Sequence, residues 1–425
     1  MKKISVLISV LLIAMFVLSA CGPAATPTAA PQTEPTKGAE PVVEPTKAPE
    51  PVVEPTKAPE AAAAKVTIWH AWKENEIASL NDVIAAYKIQ NPGVEVEVLY
   101  VPFDDLKGKY ETAASTGAGP TVLIGGADWG PGFYNSELVE NIKDTVNQDL
   151  LKTINPAALG AVTYKDAIIG LPETIKGVVM FRNKTLVPEP YADFAALLAD
   201  KKAALEYGVF FSSGHLYGLG GKLMTPEGDP AFNDENGVKW VELIKSFKDA
   251  NAEGKAFIDS DDDVALFKAG QAGVIIDGTW NISNLAETIG MDNLAIDPWP
   301  APLSGFVQTE NIYLNPNAAD ADKAAGLKFL EFFLSKEAQA LLADPAKAAH
   351  IPAVADVEVS DPLMKQAAEA FAGGTAFPVI PEMGAYWDAM KNALVKVVDT
   401  DADPAATLQE AFDAVTAKVK EIRGN

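Results

Sequence analysis

Three histidines, one cysteine and seven tryptophans are the residues of this 425-residue chain with the most chemistry to offer. Their spacing decides which chemistry stays open. His70, His215 and His350 are far apart and lack the spacing of a zinc site. Gly214 to Lys222 is glycine-rich, but Leu223 follows Lys222 where a phosphate loop needs Ser or Thr for magnesium. Asp259, Asp261 and Asp263 imitate the start of a calcium loop. Val264 stands where that loop requires glycine and Gly270 where it requires Glu, so an acidic helix start is the better reading. No Gly-x-Ser-x-Gly elbow occurs, and Cys21, the only cysteine, is too near the N-terminus to serve a thiol mechanism in the folded part. Spacing cannot exclude a hydrolytic pair of carboxylates, so a secreted carbohydrate-active enzyme remains the alternative from another class. What stands out instead is a set of aromatic residues in loops and at helix starts: Trp69, Trp72, Trp129, Trp280, Trp299 and the pair Tyr386 and Trp387. Trp240 lies among Val238, Leu243 and Ile244 at helical spacing and reads as core.

The elements that must position these residues alternate between strand and helix. Val66 to Trp69 reads as a strand, and Ile77, Leu80, Ile84 and Tyr87 then recur at helical spacing until Asn91-Pro92-Gly93 stops the helix. A second strand alternates Val94, Val96, Val98 and Tyr100 with Glu95, Glu97 and Leu99. Such a β-α-β unit predicts a parallel pair with a right-handed crossover. Helix follows over Leu106 to Ala114 and strand over Thr121 to Ile124; Val178 to Phe181 and Val274 to Ile276 read as buried strands, Val238 to Ala250 and Val264 to Ala269 as helices. The last hundred residues are mainly helical, over Lys323 to Leu334, Lys336 to Ala343, Leu363 to Ala372, Glu382 to Val398 and Ala405 to Ile422. Ligands of open α/β sheets bind beyond the carboxyl ends of strands, so the loops there are where a site belongs.

From Lys65 to the end, the chain resembles the extracellular solute-binding proteins typified by maltose-binding protein, the capture subunits of ABC importers. The resemblance rests on Ile68-Trp69-His70-Ala71-Trp72, on Gly170-Leu171-Pro172-Glu173 leading to Phe181-Arg182-Asn183-Lys184, on Gly220-Gly221, on Asp277-Gly278-Thr279-Trp280, and above all on Pro381-Glu382-Met383-Gly384-Ala385-Tyr386-Trp387. It implies an α/β, periplasmic-binding-protein-like fold of two α/β lobes joined by a three-crossing hinge, with C-terminal helices, closing over a ligand. By position, residues 65–174 with about 302–355 form the N-lobe, and 175–301 with about 356–425 the C-lobe. The crossings then fall near Thr174–Lys176, Ile296–Ala301 and Ile351–Asp361. Trp280 and Trp387 match the family's sugar-stacking tryptophans, with Tyr386 beside the latter. A pyranose presents a flat C–H face that packs on an indole, and its hydroxyl rim needs donors and acceptors. Asp128 falls where the family grips sugar hydroxyls with a carboxylate, and Trp129 replaces a polar neighbour as a third possible platform. His70, Trp72, Lys73 and Glu74 follow the first strand where the family contacts ligand. Phe210 and Phe211 occupy a stretch where some members have a stacking tyrosine. Lys176 replaces the family's acidic contact in the first crossing, with Glu173 nearby, so the pattern of hydroxyl recognition differs. The resemblance implies a binding protein, not an enzyme, with malto-oligosaccharide as the first ligand to test, no cofactor or metal, and an ABC permease as partner. A polyamine or another oligosaccharide is the alternative cargo. A polyamine site would want several carboxylates facing tryptophans, and Asp128, Glu173 and Glu74 are the obvious candidates.

Residues 1–20 carry Lys2 and Lys3 before an apolar run from Ile4 to Leu18, a signal-peptide shape too short to be a permanent membrane helix. Leu18-Ser19-Ala20-Cys21-Gly22 resembles the bacterial lipobox, which implies cleavage and a lipid on Cys21, and thus an exported chain held at the outer face of the cytoplasmic membrane or in the periplasm. Residues 21–64 are rich in Pro, Thr, Glu and Lys and repeat a ten-residue unit at 41–50 and 51–60; this composition predicts a disordered stalk. Fully extended, it would reach on the order of 100 Å. The formal charge of −24, which becomes −26 once Lys2 and Lys3 leave with the signal, argues against nucleic acid as a partner. The exported part is expected to work as a monomer.

Overall fold

The computed structural model describes residues 64–250, 256–258, 262–400 and 402–424. The signal, Cys21 and the stalk up to residue 63 lie outside these residues, as do Asp259 and Asp261; Ala64 instead opens the first strand.

The expected β-α-β start is present. β1 (Ala64–His70) buries Val66 and Ile68, α1 (Glu74–Gln90) carries Glu74 and Glu76 in its first turn, and β2 (Val94–Tyr100) runs parallel to β1 with Tyr100 opposite His70. Asn91 ends α1, its backbone and side-chain amides both donating to the Tyr87 carbonyl. α2 (Phe103–Ser115) leads to β3 (Val122–Gly126), a fully buried strand parallel to β1 on its other side, and then to α3 (Trp129–Asn135). β1, β2 and β3 therefore direct their carboxyl ends the same way.

β4 (Leu171–Asn183) is a long strand that serves both lobes. The sheet continues through β5 (Ala203–Glu206), β6 (Ala256–Phe257), β7 (Val274–Gly278), β8 (Leu294–Asp297) and β9 (Phe306–Leu314), in the order β2-β1-β3-β9-β4-β7-β5-β6. β9 is antiparallel to both β3 and β4, and β4 pairs with β7 over Val178–Arg182. β10 (Ile351–Pro352) adds to β4 at Thr174 and Ile175. One core gathers Val66, Ile68, Val122, Ile312, Phe329 and Phe333; the other gathers Met180, Leu205, Trp240, Phe247, Ile276 and Leu394. Each fully buried side chain of this size contributes about 1.5–3 kcal/mol, enough to hold both cores without a disulfide. Trp240 is core as its spacing predicts, its indole N–H donating to the Ser212 carbonyl at 2.9 Å.

Phe306 packs in one core and Ile312 and Leu314 in the other, so β9 contributes to both. One difference from the expected elements lies near the C-terminus. In place of one helix over Glu382 to Val398, a 3-10 turn at Pro381–Ala385 precedes α9 (Trp387–Asp399). Pro381 starts the turn and Gly384 weakens its helical continuity, so Trp387 becomes the first residue of a helix instead of lying within one.

Candidate functional site

The loops beyond the strands bring together a run of aromatic rings in the second lobe. Trp280 follows β7 and folds back over Gly278, where an added Cβ would lie 2.1 Å from the indole; only glycine leaves that ring its place. Phe210 and Phe211 sit at the start of α4 (Val209–Gly218), with Phe210 tilted 32° to Trp280 at 6.2 Å and Phe211 edge-on at 6.0 Å. Phe377 lies 5.3 Å from Phe210 and stacks on Trp387 at 5.7 Å and 29°. The rings thus pass from Trp280 through Phe210 and Phe377 to Trp387. Phe210, Phe211, Trp280 and Trp387 are only partly buried, so each keeps some ring surface at solvent. Phe377 carried no periodic signal in the sequence, because Thr375–Ala376 is a two-residue strand tied to the start of β9.

Asp128 faces this run from the first lobe. It follows β3 directly, and Gly125 and Gly126 make room for it: a Cβ on Gly126 would meet its carboxylate at 2.8 Å, and one on Gly125 would meet the Trp129 ring at 2.4 Å. The Trp387 side chain lies close enough to the Asp128 carboxylate to lower its pKa, and α3, which begins at Trp129, packs against the 3-10 turn that presents Trp387. Burial pushes its pKa up to about 6, against the opposing pull of Lys107 and its hydrogen bonds. Trp129, expected as a third platform, is only 5% exposed and packs between Phe103 and Phe133. Tyr386, expected as a ligand contact, is fully buried with its hydroxyl donating to the Gly228 carbonyl at 2.9 Å. Its place is to hold the turn that presents Trp387.

The residues carried onto the first crossing form something else. Lys176 is 7% exposed; its ammonium donates to Glu310 at 2.5 Å and Glu76 at 3.0 Å and lies 5.5 Å from the Trp72 ring centre. The Trp72 indole donates to Glu310 at 3.0 Å, and Trp72 stands edge-on to His350 at 4.9 Å. His350 bridges Glu76 through Nε2 at 3.0 Å and Glu173 through Nδ1, which bonds Oε2 at 3.2 Å and lies 2.8 Å from Oε1. Glu173 is completely buried. Burial alone would discharge these groups, yet Lys176 and His350 hold Glu76 down at about 2, and Glu310 and Glu76 raise Lys176. Glu173 and His350 are both raised, the first by burial and the second because Glu173 overcomes the effect of burial, so the pair retains a proton. The network joins α1, β4, β9 and the residue before β10. Glu76, Glu310 and His350 escaped sequence reasoning, since nothing local marks charges that meet only through the fold. His70 is buried, its Nδ1 accepting from the Trp72 N–H at 3.1 Å, while Lys73 and Glu74 are exposed and Glu74 takes a φ of 44°, unusual for a residue with a side chain.

Residues 82–373 match a family described as bacterial extracellular solute-binding protein. The chain belongs to that family. Its relatives in the family include a maltotriose-binding protein of Pyrococcus abyssi, 25% identical over 79% of this chain and 78% of the relative. A galactooligosaccharide-binding protein of Bacillus subtilis is 24% identical over 82% of this chain and 89% of the relative. A maltooligosaccharide ABC transporter solute-binding lipoprotein of Streptococcus pneumoniae is 24% identical over 64% and 69%. Among solved structures, the maltose/maltodextrin-binding domain from Bdellovibrio bacteriovorus bound to maltotriose superposes with a TM-score of 0.77 at 22% identity, over 84% of this chain and all of that one. Solute-binding proteins of this family bind and do not catalyse. Among the described residues, no helix is long and apolar enough to cross a membrane, and no group of three His, Cys, Asp or Glu could hold a metal. A hollow of about 640 Å³ lies elsewhere, beside Asp82, Lys347 and Glu358, and none of the aromatic run lines it.

Proposed function

We propose that this solute-binding protein captures an oligosaccharide between its lobes, with malto-oligosaccharides first among the candidates, and delivers it to an ABC importer. The observation that carries this reading is the run of rings from Trp280 through Phe210 and Phe377 to Trp387, with the Asp128 carboxylate close to Trp387: a stacking surface has a hydroxyl acceptor beside it. Sugars need both at once. Closure then follows from the ligand's greater affinity for the closed state. The names of the relatives support a sugar, and two of the three point to glucose polymers. A polyamine is less well served, because Glu173, one of its candidate carboxylates, is fully buried and paired with His350 inside the protein. In this reading 65–174 with about 302–355 and 175–301 with about 356–425 are the closing lobes, and the lipid on Cys21 keeps the binder beside its permease. Titrating maltotriose and a galacto-oligosaccharide calorimetrically tests it. Trp280→Ala and Trp387→Ala should each weaken binding of whichever sugar binds by about 2–4 kcal/mol; affinity unchanged in both would refute the stacking role.

A further inference from the structure

The first lobe carries an unexplained apolar surface at the same end of the sheet. Along the outward positions of β2, Glu95 and Glu97 give way to Leu99, and Leu99 and Tyr100 are each 41% exposed. Phe103, the first residue of α2, is 51% exposed. It adds little to the start of the helix, where Asp104 and Asp105 already complement the dipole, and it contributes to no core. Single exposed apolar residues are ordinary. This group is distinguished by its location. Phe103 and Lys107 are one turn apart and share a face of α2. That face meets the loop after β3: the Phe103 ring lies 5.0 Å from Trp129 at 38°, and Lys107 is near enough to Asp128 to act on its charge. Tyr100 stands beside it at the end of β2, 6.1 Å from His70. The helix α3 that begins at Trp129 packs against the 3-10 turn at Pro381–Ala385, which presents Trp387. The surface therefore borders the segment that packs against the turn presenting Trp387, and it repeats the chemistry of the aromatic run, an exposed ring next to a polar side chain that can meet hydroxyls.

We propose that Phe103, backed by Trp129 and flanked by Tyr100 and Lys107, is a first-lobe platform that stacks on a sugar ring of the bound chain beyond those held at Trp280 and Trp387. The proposal rests on the oligosaccharide reading above and sharpens it: the cleft is built for a chain longer than a disaccharide. Trp129 is buried so that it can support Phe103, which takes over the stacking role expected of Trp129 itself.

Calorimetry with maltose, maltotriose and maltopentaose on the protein without its leader tests this. The unaltered protein should gain affinity along the series. Phe103→Ala should remove that gain, binding the longest sugar about tenfold more weakly while maltose stays within about twofold, and Phe103→Trp should restore it. Because Phe103 is exposed, the melting temperature of Phe103→Ala should match that of the parent, which separates a lost contact from a damaged lobe. An equal loss at every length, or no loss at any, overturns the platform while leaving the oligosaccharide reading intact. Failure of the unaltered protein to bind any of the three refutes malto-oligosaccharide as the cargo, and the platform for it falls as well.

Discussion

At the scale of single residues, Asp128 is the group whose environment matters most. Its pKa of about 6 lies above the ordinary aspartate value because burial disfavours the charge. The folded protein therefore holds a proton there that the unfolded chain has released between about pH 4 and 6. Its contribution to folding stability is fully present at low pH and is lost as pH rises through that window. Ligand binding runs the other way, since only the carboxylate accepts from two hydroxyls at full strength. Sugar affinity should fall several-fold as pH drops from 7 to 5, and Asp128→Asn should bind more weakly at pH 7 with a flat profile. A binding constant independent of pH in the parent would remove Asp128 from the site. Trp280, Trp387 and Asp128 each belong to a recognisable motif, so the sequence alone marks them as candidates. Tyr386 and Trp129 were not assigned their true surroundings, since aromatic type alone does not say which way a ring turns.

At the scale of elements, the hinge charges carry the argument. Lys176 is enclosed by Glu76, Glu310 and Trp72. Replacing it with Met would leave two buried carboxylates without their cation, and breaking a buried pair in this way costs about 3–5 kcal/mol. Lys176→Met should show that loss in denaturant unfolding. Were Lys176 chiefly a ligand contact at an open cleft, stability would barely change and affinity alone would drop. The helical pattern of the C-terminal third was readable, yet the break at Pro381–Ala385 decides that Trp387 opens α9 and reaches Asp128.

For the whole molecule, the proposed reading makes attachment and capture separate tasks. If Cys21 bears the lipid, Cys21→Ser should release the protein from the membrane fraction on cell fractionation, with sugar affinity unchanged. Retention of that variant in the membrane would count against the anchor. A short lipid-borne stalk would keep the binder at high effective concentration near its permease, so importer flux should fall in the released form even when binding does not.

The sequence by itself determined the alternation of strands and helices, the family, and which tryptophans follow its motifs, because periodicity and short motifs are local properties of a chain. The tertiary structure decided what those residues face. Glu76, Glu310 and His350, distant in sequence, converge on Lys176 only because β4, β9 and the third connection meet there. Phe103 gains meaning only because β2 and β3 end on either side of β1, which brings the start of α2 against Trp129 and the Asp128 loop. Burial, pairing and the direction of a ring are set by contacts between segments far apart in the chain, and no local pattern records them.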